Sequence, residues 1–235
     1  MSPVPRHKVQ RAPEFREVIY DSATWELLRR LRVKAIKIVE ALNDCGFNAI
    51  VHGSLARGDV TPSSDVDVVI TYLIQPYRAV LCLEDSGFTI YKQYVVKATP
   101  ADTPKAYMEL DADGKEVVSF PLQETTNTEW EFYRFGGTVA LHELRSGVRV
   151  PGVNKNLVLI IPTDRGHIEA PVIDYEAYVA SILGVSINVV HERVRLLTRR
   201  DRLGRTGTYL TYVLKTNESF EEALTKLKKE GKLTL

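Results

Sequence analysis

Between Asp21 and Gly46, apolar or small residues recur at three-four spacing: Leu28, Leu31, Ala35, Ile38 and Leu42 share one helical face. The spacing predicts a helix that Asp21 or Ser22 can cap and that Gly46 can end in the left-handed conformation. The period then shortens. Phe47 to His52 reads as a strand, Gly53 to Gly58 as a turn leading into a short helical segment, and Asp65 to Thr71 as a valine-rich strand. Pro76 suits the first turn of a helix closed by Gly87, and Phe88 to Lys97 alternates as a strand does. Ala106–Asp111 and Glu116–Leu122 flank Asp113-Gly114, the signal of a β-hairpin. Glu129 to Phe135 predicts a helix broken at Gly136-Gly137, with helix resuming over Thr138 to Arg145. Leu157 to Ile161 is an all-apolar strand that His167 to Val172 can pair with.

Near Pro171 the pattern changes to helix, tight turn, helix and a glycine-containing pair of strands. Ala180 allows close helix approach, Gly184 makes the turn, and Ser186 caps the second helix. Leu203 to Lys215, with Gly204 and Gly207, would form a wing, so this unit resembles a winged helix-turn-helix. An amphipathic helix with a Ser219/Glu222 capping box follows. Three segments are expected: a loose basic arm over 1–20, a main domain over 21–171, and a winged-helix-like domain over 172–235. Between His191 and Lys215, seven arginines and lysines face two acids, an excess that would attract phosphate backbone. Residues 186–215 are therefore a candidate nucleic-acid surface, the alternative being a packing or dimerisation unit.

Length and composition add bounds. The chain has 235 residues, 44% of them hydrophobic and 26% charged, the make-up of a soluble globular protein. Lys plus Arg is 31 against 30 for Asp plus Glu, so net charge does not point to a partner. The two cysteines, Cys45 and Cys82, have no CxxC spacing; they are expected to be unpaired, buried apolar residues in a reducing compartment. The N-terminal stretch lacks the apolar core of a signal peptide, and no stretch approaches the length of a membrane span. A cytoplasmic protein without membrane contact is expected.

The chemistry concentrates in HGSLARGDVTPSSDVDVVI, His52 to Ile70. Residues two apart on a strand share a face, so Asp65 and Asp67 aim together while Val66 and Val68 aim into the core. Two bare carboxylates repel; a divalent cation converts them into a ligand set, and carboxylate oxygens suit Mg²⁺. Gly53 lets a phosphate approach the backbone, Ser54 offers a hydroxyl and an N–H, and a helix starting just after would turn its free N–H groups the same way. Arg57 would supply positive charge near phosphates or pair with an acid.

Gly53, Ser54, Ala56, Arg57, Gly58, Ser64, Asp65, Asp67, Val68 and Ile70 fit the pattern G-S-x-A-R-G, a loop, then S-D-x-D-V-x-V. This stretch resembles the core motif of the DNA polymerase β-type nucleotidyltransferase superfamily, nearest its minimal nucleotidyltransferase branch. The resemblance implies an α+β fold with a mixed β-sheet flanked by helices, Mg²⁺ with Mn²⁺ as the alternative, an NTP donor (ATP first), and pyrophosphate release. It implies nucleotide contacts at Gly53, Ser54, Arg57 and Ser64. It also implies a third acid on a neighbouring strand. Glu109 is the first candidate for metal binding and for taking the proton of the attacking hydroxyl, Asp111 the second, Glu129 and Glu131 weaker ones. Lys155 could reach a triphosphate or sit in a solvated hairpin turn. The aromatic run Trp130 to Phe135 suits base stacking or core packing. The acceptor stays open among RNA, protein and small molecules. The other function class is a nucleic-acid-binding regulator, or an antitoxin-like protein, whose domain is inactive or senses nucleotide.

Overall fold

A computed structural model describes residues 9, 15–204 and 207–233. Its elements, in chain order, are β1 (Arg16–Ile19), α1 (Ser22–Asp44), β2 (Ala49–His52), α2 (Ser54–Arg57), β3 (Val66–Ile70), α3 (Pro76–Asp85), β4 (Lys92–Lys97), β5 (Lys105–Glu109), β6 (Glu116–Pro121), α4 (Asn127–Gly136), β7 (Thr138–Val139), α5 (Leu141–Arg145), β8 (Gly152–Val153), β9 (Val158–Thr163), β10 (Gly166–Pro171), α6 (Glu176–Leu183), α7 (Ile187–Leu203), β11 (Leu210–Val213) and α8 (Phe220–Lys229). The architecture is α+β, with a mixed sheet flanked by helices.

Contacts divide the chain into two compact units, each of discontinuous sequence. One unit comprises Lys34–Ile50, Asp65–Thr125 and Gly207–Leu235. Its sheet runs β11-β4-β5-β6-β3. Strands β3 and β6 are parallel, and the other pairs are antiparallel. One face is core: Val66, Val68, Ile70, Val118, Phe120, Met108, Ala106 and Val95 are all buried. Ala35, Ile38 and Leu42 of α1, Ala79 and Leu83 of α3, and Phe220, Ala223 and Leu227 of α8 are buried as well. Phe220 meets Phe120 edge-on at 5.9 Å. The β5–β6 turn forms as the sequence indicates. Gly114 takes φ 65°, and the Asp111 carboxylate accepts the N–H groups of Lys115 and Glu116.

The other unit comprises Met1–Val33, Val51–Ser64 and Thr126–Thr206. It holds the antiparallel sheet β1-β10-β9-β8 and a core that includes Phe135, Leu157, Leu159, Val172, Val179, Leu183 and Val190. Here α4 has a Thr126/Glu129 capping box and ends where Gly136 packs against His52. A Cβ at Gly136 would overlap the imidazole, so glycine is required there, and Gly137, at φ 84°, ends the helix.

Four expectations are corrected. Of the arm over 1–20, residues 1–8 and 10–14 lie outside the described residues, but Arg16–Ile19 is not loose: it forms β1 and pairs with β10. The boundary at 171/172 does not divide the molecule, because α6 and α7 share a core cluster with β9 and β10. The helix-turn-helix forms, with Gly184 in the left-handed conformation and Ser186 capping α7, but no wing hairpin forms among the described residues of 203–215. Instead β11 pairs with β4, placing Leu210 opposite Lys97, because that strand edge offers a full ladder of backbone partners. Lastly, Cys45 and Cys82 are joined by a disulfide across 37 residues of sequence. No helix among the described residues is long and apolar enough to cross a membrane.

Candidate active site

The glycine–serine turn is built between β2 and α2. Gly53 has φ 82° and ψ −139°, a conformation that side-chain-bearing residues rarely adopt. A Cβ there would meet no atom within 4 Å, so backbone shape rather than crowding demands glycine. The Gly53 N–H donates to the Gly137 carbonyl, and the Gly53 carbonyl accepts from the N–H groups of Ala56 and Arg57. The Ser54 hydroxyl donates to Ser64 Oγ at 3.3 Å, and Ser64 Oγ also accepts the Thr61 N–H at 2.9 Å. These bonds tie the two ends of the loop to one another. Gly58, at φ 100°, turns the chain away.

Arg57 is held by protein partners. It is 5% exposed, its guanidinium donates to the Gly136 carbonyl at 2.6 Å, and it forms an ion pair with Asp59 at 2.9 Å. Of the two roles open to it from sequence, it has taken the acid partner. Lys155 is exposed in the turn between β8 and β9, where the Asn154 side chain accepts the N–H groups of Asn156 and Val158. That is the arrangement of a solvated hairpin turn.

In the aromatic run, Phe135 and Tyr133 are buried. Phe132 and Tyr133 pack around His52, and Trp130 is exposed. The Arg193 guanidinium stacks 4.5 Å over Phe132, and burial lowers its pKa to about 10. Glu129 is used in its own helix cap, and Glu131 accepts the hydroxyl and N–H of Ser186.

The carboxylates belong to the other unit. Asp65 and Asp67 are half-buried on either side of Val66, which is 1% exposed on the core face. Alternation along β3 therefore puts both acids on the opposite face. The register extends that face across the sheet. Asp67 is opposite Val117 on β6, Val117 is opposite Glu109 on β5, and Glu109 is opposite Lys92 on β4. Glu109 thus shares the face and the row of Asp67. It stands two strands away, about 10 Å between backbones, with the buried Val117 between them.

The Glu109 carboxylate has other company. Lys92 Nζ lies 3.6 Å from it and 5.1 Å above the Tyr94 ring. Tyr94 stacks on Tyr107 with centroids 5.2 Å apart and planes 4° from parallel. Burial, and then the Glu109 carboxylate that accepts its hydrogen bond, push the Tyr94 phenol up to about 12. Asp111 is committed to the β5–β6 turn. Among the described residues, no group of three histidine, cysteine, aspartate or glutamate side chains stands close enough to hold a metal ion.

Residues 32–118 match the family model of the nucleotidyltransferase domain. The chain carries a nucleotidyltransferase domain. It is of the polymerase β-like kind, and the matched segment takes in the glycine–serine turn, the two aspartates and Glu109. No curated protein matches the chain. The general chemistry of such a domain is nucleotidyl transfer, with a nucleotide as substrate.

The positions around this domain's motif that sequence left out are Arg32, Lys92, Tyr94 and Val117. Only Arg32 carried a signal. It interrupts the apolar stripe Leu28, Ala35, Val39 at the same three-four spacing, and a charged residue on a core-facing stripe needs a partner.

Proposed function

We propose that the nucleotidyltransferase domain moves a nucleoside monophosphate from an NTP, ATP first, to an acceptor hydroxyl. The acceptor oxygen bonds to the α-phosphorus, the bond to the bridging oxygen breaks, and pyrophosphate leaves. The observation that carries this reading is the paired carboxylates, Asp65 and Asp67, opposite a core valine, directly following a glycine–serine turn in a stretch that matches the family.

A two-carboxylate donor set suits Mg²⁺, or Mn²⁺, which takes its remaining ligands from phosphate oxygens and water. Asp65 and Asp67 are its ligands in this proposal, and Glu109, two strands away and beside Lys92 and Tyr94 of the next strand, is not. Bound there, the cation would draw off charge that builds on the phosphate oxygens. Gly53, whose own N–H is held by Gly137, lets the triphosphate approach the backbone, and Ser54 presents an N–H and a hydroxyl. Ser64 orients the Ser54 hydroxyl. Glu109, with Lys92 Nζ 3.6 Å from its carboxylate, accepts the proton of the attacking hydroxyl.

The test is pyrophosphate release by the purified chain from each of the four NTPs with Mg²⁺, with and without added RNA. Release from at least one NTP supports the transferase. A domain that binds NTP yet releases no pyrophosphate with any acceptor would instead be a nucleotide-sensing regulator or antitoxin-like protein. Val117 on the strand beside Asp67, where an acid would complete a triad, favours that second reading. An RNA acceptor or partner has a docking surface at hand. Arg195, Arg199 and Arg202 are exposed at helical spacing along α7, and an anionic backbone would relieve their mutual repulsion.

A further inference from the structure

A guanidinium from α1 reaches the glycine–serine turn that Arg57 was expected to serve. Arg32 is 6% exposed. Its Nε and Nη2 both donate to the Leu55 carbonyl, at 3.0 and 2.8 Å, and Nη2 also donates to the Ala56 carbonyl at 3.3 Å. These are carbonyls of α2, a helix of four residues and so only about 6 Å long. With the Ser54 carbonyl taken by the Gly58 N–H and the Ala56 carbonyl also taken by the Val150 N–H, α2 is fastened at its far end by Arg32 and its neighbours.

The charge balance around the turn differs between its two arginines. Arg57 is neutralised by Asp59. Arg32 gives its hydrogen bonds to carbonyls, and what acts on its charge is burial first and then another cation, Arg149, which together lower its pKa to about 10. Arg149 itself donates to the carbonyls of Gly166 and Thr163 and stacks on Trp25. A guanidinium at this depth keeps its charge and stays planar and forked, which a lysine does not. The turn therefore stands over buried positive charge that no acid among these contacts offsets.

We infer that Arg32 is the positioning residue of the nucleotide turn: it holds α2 by two carbonyls, and its charge beneath the turn favours the triphosphate over less charged nucleotides. The inference rests on the reading that the triphosphate lies against Gly53 and Ser54. Arg57, by contrast, is a structural pin between the turn and Gly136.

Calorimetric titration with each NTP and its NDP in Mg²⁺, paired with steady-state pyrophosphate release, tests it in the wild type, Arg32→Lys and Arg32→Met. Arg32→Met should shrink the gain in affinity from diphosphate to triphosphate about tenfold, as loss of a buried charge near the phosphates requires. Arg32→Lys keeps the charge but cannot fork across two carbonyls. It should lower kcat about tenfold with KM within about threefold of wild type. An equal loss of di- and triphosphate affinity in Arg32→Met would overturn the electrostatic part. Should that variant not fold, Arg32→Lys decides alone: wild-type kcat in it overturns the inference. If the wild type binds no nucleotide at all, the transferase reading has failed and the inference goes with it. Normal binding with unaffected variants would remove only the inference.

Discussion

Tyr94 holds its proton well into the alkaline range, because its phenol is half-buried and bonded to the Glu109 carboxylate. The folded value, about 12, lies above the ordinary value of 10.0, so the bond's stabilisation is complete below pH 10 and is lost as pH rises towards 12. Alkaline difference spectra should show late-ionising tyrosine absorbance that Tyr94→Phe reduces; a variant that instead loses absorbance near pH 10 would mean that this phenol is not held by the carboxylate. Gly53 is the second residue to probe. Its φ of 82° admits a side chain only with strain, although the space around it is open. Gly53→Ala should cost about 1–3 kcal/mol locally and weaken NTP binding, with the remaining elements intact by circular dichroism. A variant that binds NTP as the wild type does would show that the turn's shape is not needed. At this scale the motif was legible in sequence. What the individual side chains did was less so: Arg57 is bonded to Gly136 and Arg32 to Leu55, and those carbonyls lie 79 and 23 residues away in sequence.

Among the elements, those built from near neighbours in sequence were readable: α1, α3 and the β5–β6 hairpin formed where periodicity, Pro76 and Asp113-Gly114 placed them. Long-range pairings were not. The parallel register of β3 with β6 puts Val117 rather than an acid beside Asp67, and nothing local to either strand specifies it. Strand β11 reads like a wing because Gly204 and Gly207 precede it, yet its partner β4 lies more than a hundred residues earlier. Truncation after Leu203 should therefore expose Phe120 and the β4 edge and abolish cooperative unfolding of the sheet that carries the aspartates. A truncated chain with an unchanged melt would restore the separate C-terminal domain. The Cys45–Cys82 bridge joins the end of α1 to α3. On the chain-entropy account a loop of that size confers up to about 4 kcal/mol. Reduction should shift the denaturant midpoint downward, and an unmoved midpoint would mean that the two sulfurs are thiols in solution.

For the molecule as a whole, the domain's motif crosses from one compact unit to the other at the peptide bond between Ser64 and Asp65. The glycine–serine turn belongs to one unit and the carboxylates to the other, and α1 and β2 likewise begin in one and end in the other. Sequence alone led to a division into successive domains because motifs read along the chain, while contacts form across it. The central claim is that Asp65 and Asp67 together support transfer of a nucleotidyl group. It is tested most directly by pyrophosphate release from the preferred NTP in Mg²⁺ by the wild type and by the double variant Asp65→Asn, Asp67→Asn, both verified as folded by their melts. The account predicts release by the wild type and at least a hundredfold less by the variant, about 3 kcal/mol of lost transition-state stabilisation. Equal turnover by the two proteins would contradict it.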